Sequence, residues 1–347
     1  MIDLHLHSIY SDGTNTPKEL VEQGVRLGLR AIALTDHDTV NGIDELSAAA
    51  KEQRMDFIPG VELSAGTFSL RKDHQKEVHI LGYFPRWDDK LKSALEPLRQ
   101  VQSWREERNR SIVEKLRSYH VPVTYEELVE LAGSNNVGRP HFAHWLIENG
   151  YAHTVSEAFQ QFLTPGALTF TERKTFDIAG SIDLIRSAGG VAVLAHPKAL
   201  HIFSDDDFEN FLKGMVDKGL EGIEVYCSVH LPADIRRYER MAQKFNLIMT
   251  GGTDFHGKMK PDIRMGYGFG YTKVDDSVYD KLKAKLDSKN NNHKIKRQYE
   301  KSYRRHRFHE TRRRNPETSG RPQARHLPAG QLEPQALDGR NGRAGQG

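Results

Sequence analysis

The stretch Met1-Ile-Asp-Leu-His5-Leu-His7-Ser-Ile-Tyr-Ser-Asp12-Gly13 carries the strongest indication of both fold and chemistry. Its alternating apolar residues predict a short buried strand over residues 2–6, on which His5 and His7 point to the same face. Asp12 follows in a turn closed by Gly13, close enough to fold back over that face. Two imidazoles and a carboxylate that converge at a strand end predict a site for a borderline divalent cation.

Residues of the same kinds recur beside further apolar runs along the chain. A solvated polar residue that caps a strand would explain any one of them, but it does not explain six strand-associated placements together. In parallel α/β architectures the side chains at the carboxyl ends of strands converge on one mouth. The sequence therefore predicts a shared metal centre with nine candidate ligands, namely His5, His7, Asp12, His37, Glu62, His79, His196, Asp254 and His256.

Seven motifs in order make the chain similar to the PHP (polymerase and histidinol phosphatase) superfamily. It most resembles the stand-alone phosphoesterases that act on nucleoside 3′,5′-bisphosphates and short RNA. The motifs span residues 1 to about 275 and read HLHSIYSDG from His5, LTDHDTVNG from Leu34, PGVELS from Pro59, VHILGYF from Val78, GRPHFA from Gly138, VLAHP from Val193 and GGTDFHG from Gly251.

The resemblance implies a distorted seven-stranded (β/α)7 barrel with three divalent ions. Nine ligands are too many for one or two ions, and their mixed imidazole and carboxylate character suits Mn, with Fe or Zn as alternatives, better than Mg or Ca. By position in the family, the first ion takes His5, His7, Glu62 and Asp254. The second shares Glu62 and adds His79 and His196, and the third takes Asp12, His37 and His256.

The chemistry that follows is attack on phosphorus by a metal-bridged hydroxide, with Asp12, Glu62 and Asp254 as the catalytic carboxylates. Gly138-Arg-Pro-His stands at a predicted helix start, where backbone N–H groups and a cation suit phosphate. Ordinary capping and surface charge would also account for that motif. We assign substrate binding to Gly13, Arg139, His141 and Arg173. The loop around Arg173 reads Thr169-Phe-Thr-Glu-Arg-Lys174, where the family usually carries an aromatic-Val-Pro pattern.

Alternating strands and helices predict a mainly parallel α/β sheet. The strands are expected at about 2–6, 31–35, 56–62, 78–83, 190–196, 222–226 and 247–253, and the capping box Thr16-Pro-Lys-Glu19 starts the first helix. Residues 95–165 break the alternation and predict a helical insertion, which we interpret as a lid over the mouth. The expected organisation is a barrel from 1–94 and 166–288, the insertion at 95–165, and a tail at 289–347.

Charge divides the chain into an acidic body and a basic tail. Residues 289–347 hold fifteen Lys and Arg against five Asp and Glu, whereas the whole chain of 347 residues carries 50 against 47. Because the tail has few large apolar residues, it predicts disorder. A basic RNA-binding arm and an out-of-frame or fused scar are both compatible with its composition.

The remaining composition predicts a soluble cytoplasmic enzyme. Cys227 is the single cysteine, which excludes an internal disulfide framework and suits a reducing compartment. The first residues show no basic n-region followed by an apolar h-region, and the sequence has no run of eighteen apolar residues, so we expect neither a signal peptide nor a membrane partner.

We predict a phosphoric ester hydrolase acting on nucleoside 3′,5′-bisphosphates, with nucleotide or short RNA as its binding partner and no obligate protein partner. The alternatives are a 5′-3′ exoribonuclease on short RNA, a histidinol-phosphate phosphatase and a non-catalytic metal-binding PHP module.

Overall fold

Seven strands form one sheet in sequence order within the part of the chain that the computed structural model describes, residues 1–68 and 76–290. Neighbouring strands are parallel except at β4, which runs antiparallel to both β3 and β5. The strands are β1 (Ile2–Leu6), β2 (Ala31–Leu34), β3 (Asp56–Phe68), β4 (Lys76–Tyr83), β5 (Val191–Leu194), β6 (Gly222–Cys227) and β7 (Ile248–Gly252).

The sheet curves until its last strand meets its first. The Asp254 N–H donates to the His5 carbonyl at 2.9 Å, and the His7 N–H donates to the Phe255 carbonyl at 3.0 Å. These bonds connect the end of β7 to β1, so the predicted distorted α/β barrel of seven strands is confirmed as a nearly closed one.

Helices cover the outside of this barrel and form the insertion. The barrel helices are α1 (Pro17–Arg26), α2 (Ile43–Gln53), α8 (Ile178–Ser187), α9 (Asp205–Asp217), α10 (Pro232–Lys244) and α11 (helical over 276–290). Between β4 and β5 lie α3 (Asp89–Ala94), α4 (Leu98–Ser118), α5 (Tyr125–Ala132), α6 (Arg139–Glu148) and α7 (Val155–Ala158). The predicted capping box at α1 is present, because Thr16 and Glu19 each accept the other's backbone N–H.

Apolar residues from opposite walls of the barrel fill its interior. Side chains from β1 to β5 pack together with Val278, Tyr279, Leu282 and Leu286 of α11, so this last helix closes one end of the barrel. The mouth at the other end is left for polar residues. The insertion has an apolar cluster of its own, built from α4 to α7, which includes Ile112, Leu116, Leu128, Phe142 and Leu146.

Four features differ from the sequence-based expectation. β3 continues to Phe68 and pairs with the antiparallel β4, and α3 was not predicted. The sequence pattern predicts one helix over 155–162, but α7 ends at Ala158 and a wider π turn follows at Phe159–Leu163. The last helix also passes the expected boundary at 288, because the Lys289 ammonium donates to the Gly190 carbonyl at 2.6 Å and pairs with Glu221. The basic tail from residue 291 onward lies outside the described residues.

No helix in the described ranges is long and apolar enough to cross a membrane.

Candidate active site

All nine predicted ligands meet at the mouth of the barrel, and each is placed there by a strand. His5 and Glu62 project from within β1 and β3, whereas His37, His196 and Asp254 follow the ends of β2, β5 and β7. His79 lies in the first half of β4. Because β4 is antiparallel, its beginning lies at the edge where the parallel strands end.

The first group surrounds one carboxylate oxygen of Glu62. Nε2 of His5 and Nε2 of His7 each lie 3.1 Å from Glu62 Oε2. The same nitrogens lie 3.5 and 3.3 Å from Asp254 Oδ1. Ligand atoms that share an ion at about 2.1 Å stand about 3.0–3.4 Å apart in octahedral or tetrahedral geometry. The observed spacing therefore fits a shared divalent ion.

The second group gathers around the other oxygen of Glu62. His79 Nδ1 and His196 Nε2 lie 2.8 and 2.9 Å from Glu62 Oε1. His37 Nδ1 lies 3.3 Å from Oε2 of the same carboxylate, so it can join His79 and Glu62 around an ion. Glu62 thus stands between two sets of imidazoles, which is the position of a bridging ligand.

The third group is centred on Asp12. His256 Nε2 lies 3.3 Å from Asp12 Oδ1, and His37 Nε2 lies 3.8 Å from Asp12 Oδ2. His256 Nδ1 lies 2.8 Å from the Asp254 carbonyl, to which it donates, so its Nε2 keeps a lone pair toward Asp12. His37 is close enough to serve either this group or the Glu62 group.

Buried polar atoms in these groups lack hydrogen bonds, which a bound cation would explain. Within residues 1–68 and 76–290, His7 Nε2, Asp12 Oδ1 and His37 Nδ1 are buried without a hydrogen-bond partner. An unsatisfied buried polar atom costs about 1–3 kcal/mol. The donor set and its orphaned atoms fit divalent metal ions.

Electrostatics in the metal-free centre keep the carboxylates ionised. Burial raises the pKa of Glu62, but the imidazoles of His37, His5 and His79 outweigh it and hold that pKa well below its usual range. Burial lowers the pKa of His79, whereas Glu62 raises it, with a net value of about 10. Metal ions that bind here would therefore have to displace a proton from His79.

Three residues at the strand ends adopt backbone conformations that L-amino acids rarely occupy. The φ angles of Asp38, His196 and Asp254 are 56°, 25° and 56°. Such strain costs of order 1–3 kcal/mol per residue and concentrates at functional sites. At these three positions the chain turns sharply after the strand, and the side chains at the turn point into the mouth.

Four arginines line the cleft beside the ligands. Arg105 and Arg108 come from α4, Arg139 from the start of α6 and Arg173 from the loop before α8. Asp38 pairs with Arg105 and Arg173, and Glu77 lies 3.6 Å from Arg139 and 3.7 Å from Arg173. With Asp12, which also lines the cleft, three carboxylates face the four arginines, so the arginines remain in excess.

Arg108 is the least compensated of the four. Its side chain is buried, and among the described residues it forms no ion pair, whereas Arg105, Arg139 and Arg173 each lie near a carboxylate. Its Nε, like that of the other three arginines, has no hydrogen-bond partner in this part of the chain. Burial, together with the neighbouring charges of Arg139, Arg173 and Arg105, holds its pKa well below the usual range. A buried guanidinium of this kind is stabilised most by an anion in the cleft.

Asp36 and Asp38 flank His37 in the sequence, but their carboxylates bind partners other than its imidazole. Asp36 accepts hydrogen bonds from the Ser8 N–H at 2.7 Å and from the Ser11 hydroxyl at 2.6 Å, and it thereby holds the β1–α1 loop. Asp38 instead anchors two arginines, and these lower its pKa to about 2 although burial raises it.

The start of α6 offers fewer backbone donors than its sequence suggested. Pro140 has no N–H, the Gly138 N–H donates to His141 Nδ1 at 2.8 Å, and the His141 N–H donates to the Gly138 carbonyl at 3.1 Å. Burial lowers the pKa of His141 to about 4, so the ring is neutral with its proton on Nε2. Cationic side chains, more than the helix N-terminus, make this region suitable for an anion.

Gly13 has a structural role in the turn after β1. Its N–H already donates to the Ser8 carbonyl at 3.0 Å, and a Cβ at this position would lie 2.3 Å from the His7 carbonyl oxygen. Gly13 therefore has no free backbone N–H for the substrate contact that the sequence predicts. Gly138 lies beside Asp12, and a Cβ added there would make only ordinary contact with the Asp12 Cβ, at 3.7 Å.

Sequence reasoning missed several residues that the fold brings to the mouth. Arg105 and Arg108 share the buried face of α4 with Val101 and Ile112. The helical spacing of these two apolar residues was the one sequence signal available for that face. Glu224 is a charged residue inside the apolar strand β6. Lys260 has no such signal, yet its ammonium reaches Asp254 Oδ2 at 2.7 Å.

Comparison with known proteins agrees with this geometry. The family profile described as PHP domain matches residues 3–208. A 5′-3′ exoribonuclease of Haemophilus influenzae is 32% identical over 73% of this chain and 89% of its own length. A 3′,5′-nucleoside bisphosphate phosphatase of Chromobacterium violaceum is 27% identical over 82% and 97%.

Two solved structures share the fold. A metal-dependent phosphoesterase from Bifidobacterium adolescentis superposes with a TM-score of 0.68 at 30% identity, covering 82% of this chain and 96% of its own. An amidohydrolase from Chromobacterium violaceum, solved with bound sulfate and no metal, gives 0.69 at 27% identity with the same coverage. Barrel, ligand set and relatives together define a metal-dependent phosphoric ester hydrolase. The chain belongs to the PHP family.

Proposed function

We propose that this enzyme hydrolyses nucleoside 3′,5′-bisphosphates at a centre of three divalent ions, with Mn preferred. The observation that carries the substrate assignment is the buried, weakly compensated Arg108 beside the ligand groups. One phosphate would lie at the metal centre, and the arginine cleft would receive the other.

The ligand groups support a division of the nine residues among three ions. His5, His7, Glu62 and Asp254 would hold the first, Glu62 with His79 and His196 the second, and Asp12 with His37 and His256 the third. Bound there, the ions would acidify a shared water and neutralise charge on the phosphoryl group. In this proposal Asp12, Glu62 and Asp254 are the catalytic carboxylates, because each would bind one or more of the ions.

The protein's own residues would bind and orient the substrate. The four arginines of the cleft would attract a phosphate monoester dianion. Arg139 and Arg108 would contact its oxygens, because Arg105 and Arg173 are already bound to Asp38. Neutral His141 would donate from Nε2. The helical insertion supplies all three of the proposed contacts, Arg108, Arg139 and His141, which supports its role as a lid.

A 5′-3′ exoribonuclease on short RNA is the second candidate. Relatives from Haemophilus influenzae and Salmonella typhimurium carry that name at 32% identity. The cleft would then take a terminal 5′-phosphate. Histidinol phosphate is less favoured because it has one phosphate and no use for the second anion site. The single buried cysteine suits the cytoplasm, where we place the enzyme.

The test is a comparison of kcat/KM on three substrates with Mn-loaded protein. Adenosine 3′,5′-bisphosphate, a 5′-phosphorylated trinucleotide RNA and histidinol phosphate are assayed side by side. We expect the bisphosphate to be hydrolysed most efficiently. A clear preference for histidinol phosphate would overturn the substrate assignment, and no hydrolysis of any ester would favour a non-catalytic metal-binding module.

A further inference from the structure

Glu224 lies in the middle of β6, behind the metal ligands, with its side chain completely buried. Both of its oxygens accept hydrogen bonds from predicted ligands. Oε1 lies 2.9 Å from His5 Nδ1, and Oε2 lies 2.7 Å from the His196 backbone nitrogen. Glu224 belongs to none of the three candidate ligand groups found in the described residues.

The contact with His5 decides which ring nitrogen faces the metal centre. A carboxylate beside Nδ1 requires a proton on that atom. With the proton held on Nδ1, Nε2 can present its lone pair to the centre, where it lies 3.1 Å from Glu62 Oε2 and 3.5 Å from Asp254 Oδ1. A hydrogen bond to the distal nitrogen commonly fixes tautomer and ring orientation in metal-binding histidines.

The contact with His196 holds a strained turn. His196 has φ 25° and ψ 61° although it precedes Pro197, a position that normally favours extended backbone. Glu224 accepts the N–H of this residue, and the His196 side chain then reaches Glu62 Oε1 at 2.9 Å. The bond therefore stabilises the backbone geometry that aims the imidazole.

We propose that Glu224 is a positioning residue that fixes His5 and His196 in their metal-binding form. It joins ligands on opposite sides of Glu62, so it sets the spacing between the first and second ion positions. The proposal rests on the proposed metal centre, although it does not depend on which phosphate ester is the substrate.

Only a carboxylate satisfies both contacts. In Glu224→Gln, the amide oxygen can accept from the His196 N–H, but the NH2 group then faces Nδ1 of His5. The ring must accept there and carry its proton on Nε2, which is the wrong tautomer for binding. With the amide reversed, the NH2 group meets the His196 N–H and two donors oppose each other.

Metal binding by Glu224→Gln tests the proposal directly. Mn content per chain and Mn affinity are measured for the wild type, for this variant and for Tyr226→Phe. The control is on the same strand, and its hydroxyl bonds Glu239 at 3.0 Å, outside the ligand set. We expect about a 10- to 100-fold loss of Mn affinity in Glu224→Gln and no change in Tyr226→Phe. Unchanged affinity and stoichiometry in Glu224→Gln would overturn the proposal.

A second measurement needs no variant and so holds even if Glu224→Gln fails to fold. Nitrogen-15 NMR of the Zn-loaded wild type reports the tautomer of each imidazole. We expect His5 to carry its proton on Nδ1, and a proton on Nε2 would contradict the proposal. Because both readouts are independent of turnover, a failure of the proposed hydrolysis would appear separately, as metal-loaded wild type without activity.

Discussion

Arg105 of the helical insertion forms a buried ion pair with Asp38 of the barrel mouth. The same carboxylate oxygen of Asp38 also pairs with Arg173, and its other oxygen accepts the Ser64 N–H at 2.9 Å. Asp38 is thus the point at which α4, the loop before α8 and β3 are held together. This carboxylate therefore fixes the position of the arginine cleft relative to the candidate metal ligands.

Asp38→Asn should strongly destabilise the protein. It leaves two buried guanidinium groups without their carboxylate, and breaking a buried pair in this way costs about 3–5 kcal/mol. Urea unfolding measures the effect. The control is Asp44→Asn, whose pair with Lys92 is exposed and should contribute only about 0–1 kcal/mol. Equal losses in the two variants would contradict the role given to Asp38.

Arg139→Ala should separate substrate binding from metal binding. The Arg139 side chain lies over the Phe170 ring and 3.6 Å from Glu77, and it contacts no candidate ligand. Loss of one charge-assisted bond to phosphate costs roughly 1.5–3 kcal/mol, or about 10- to 100-fold in kcat/KM. Metal content should stay unchanged. In the exposed control Arg117→Ala, neither kcat/KM nor metal content should change. Lost metal in Arg139→Ala would show that its assignment is wrong.

Glu62→Gln should reduce metal content and turnover together. Five imidazoles in the centre lie within 3.3 Å of the Glu62 carboxylate oxygens. An amide removes the charge that offsets repulsion between neighbouring cations. Elemental analysis and kinetics on the same preparations check this, with exposed Glu107→Gln as the control. Full metal content with lost activity would mean that Glu62 is not a bridging ligand.

The metal-free protein should lose stability as the pH rises above neutrality. Burial lowers the pKa of His7, but Asp254 and Glu62 raise it to a net value of about 9, and His79 reaches about 10, against an ordinary value of 6.5. Between pH 6.5 and about 9–10 the folded state therefore binds more protons than the unfolded state, so the unfolding free energy falls with increasing pH.

Thermal melts of metal-free protein across this pH window measure the slope, which His79→Gln should reduce. Metal binding must expel the same protons, so Mn affinity should rise with pH over the same interval. A metal-free protein that became more stable from pH 6.5 to 9 would contradict the raised pKa values of His7 and His79.

Most strands of the barrel and most candidate ligands were predictable, because apolar runs mark the strands and the ligands lie at or near the ends of these runs. His79 was the exception, since it precedes Ile80-Leu-Gly-Tyr83 instead of following it. The structure explains this order, because β4 is the antiparallel strand. Strand direction depends on pairing between segments distant in sequence, and apolar alternation is the same in both directions.

The arginine cleft was harder to predict because its members come from separate elements. Arg105 and Arg108 appear in a highly charged helix, Trp104-Arg-Glu-Glu-Arg, where surface exposure is the ordinary expectation. Their burial follows from how α4 packs over the mouth, which the sequence of α4 alone does not determine. Glu224 was missed for the same reason, since its partners lie on β1 and after β5.

The most direct test of the account is the preference of Mn-loaded enzyme for two phosphates over one. We measure kcat/KM for adenosine 3′,5′-bisphosphate and for both adenosine monophosphates, in wild type, Arg108→Met and the exposed control Arg110→Met. Wild type and control should prefer the bisphosphate by at least about tenfold, the value of one charge-assisted bond. Arg108→Met should lose that preference while keeping its metal and its activity on monophosphates. A wild type that hydrolyses monophosphates equally well, or an Arg108→Met that keeps the preference, would contradict the account.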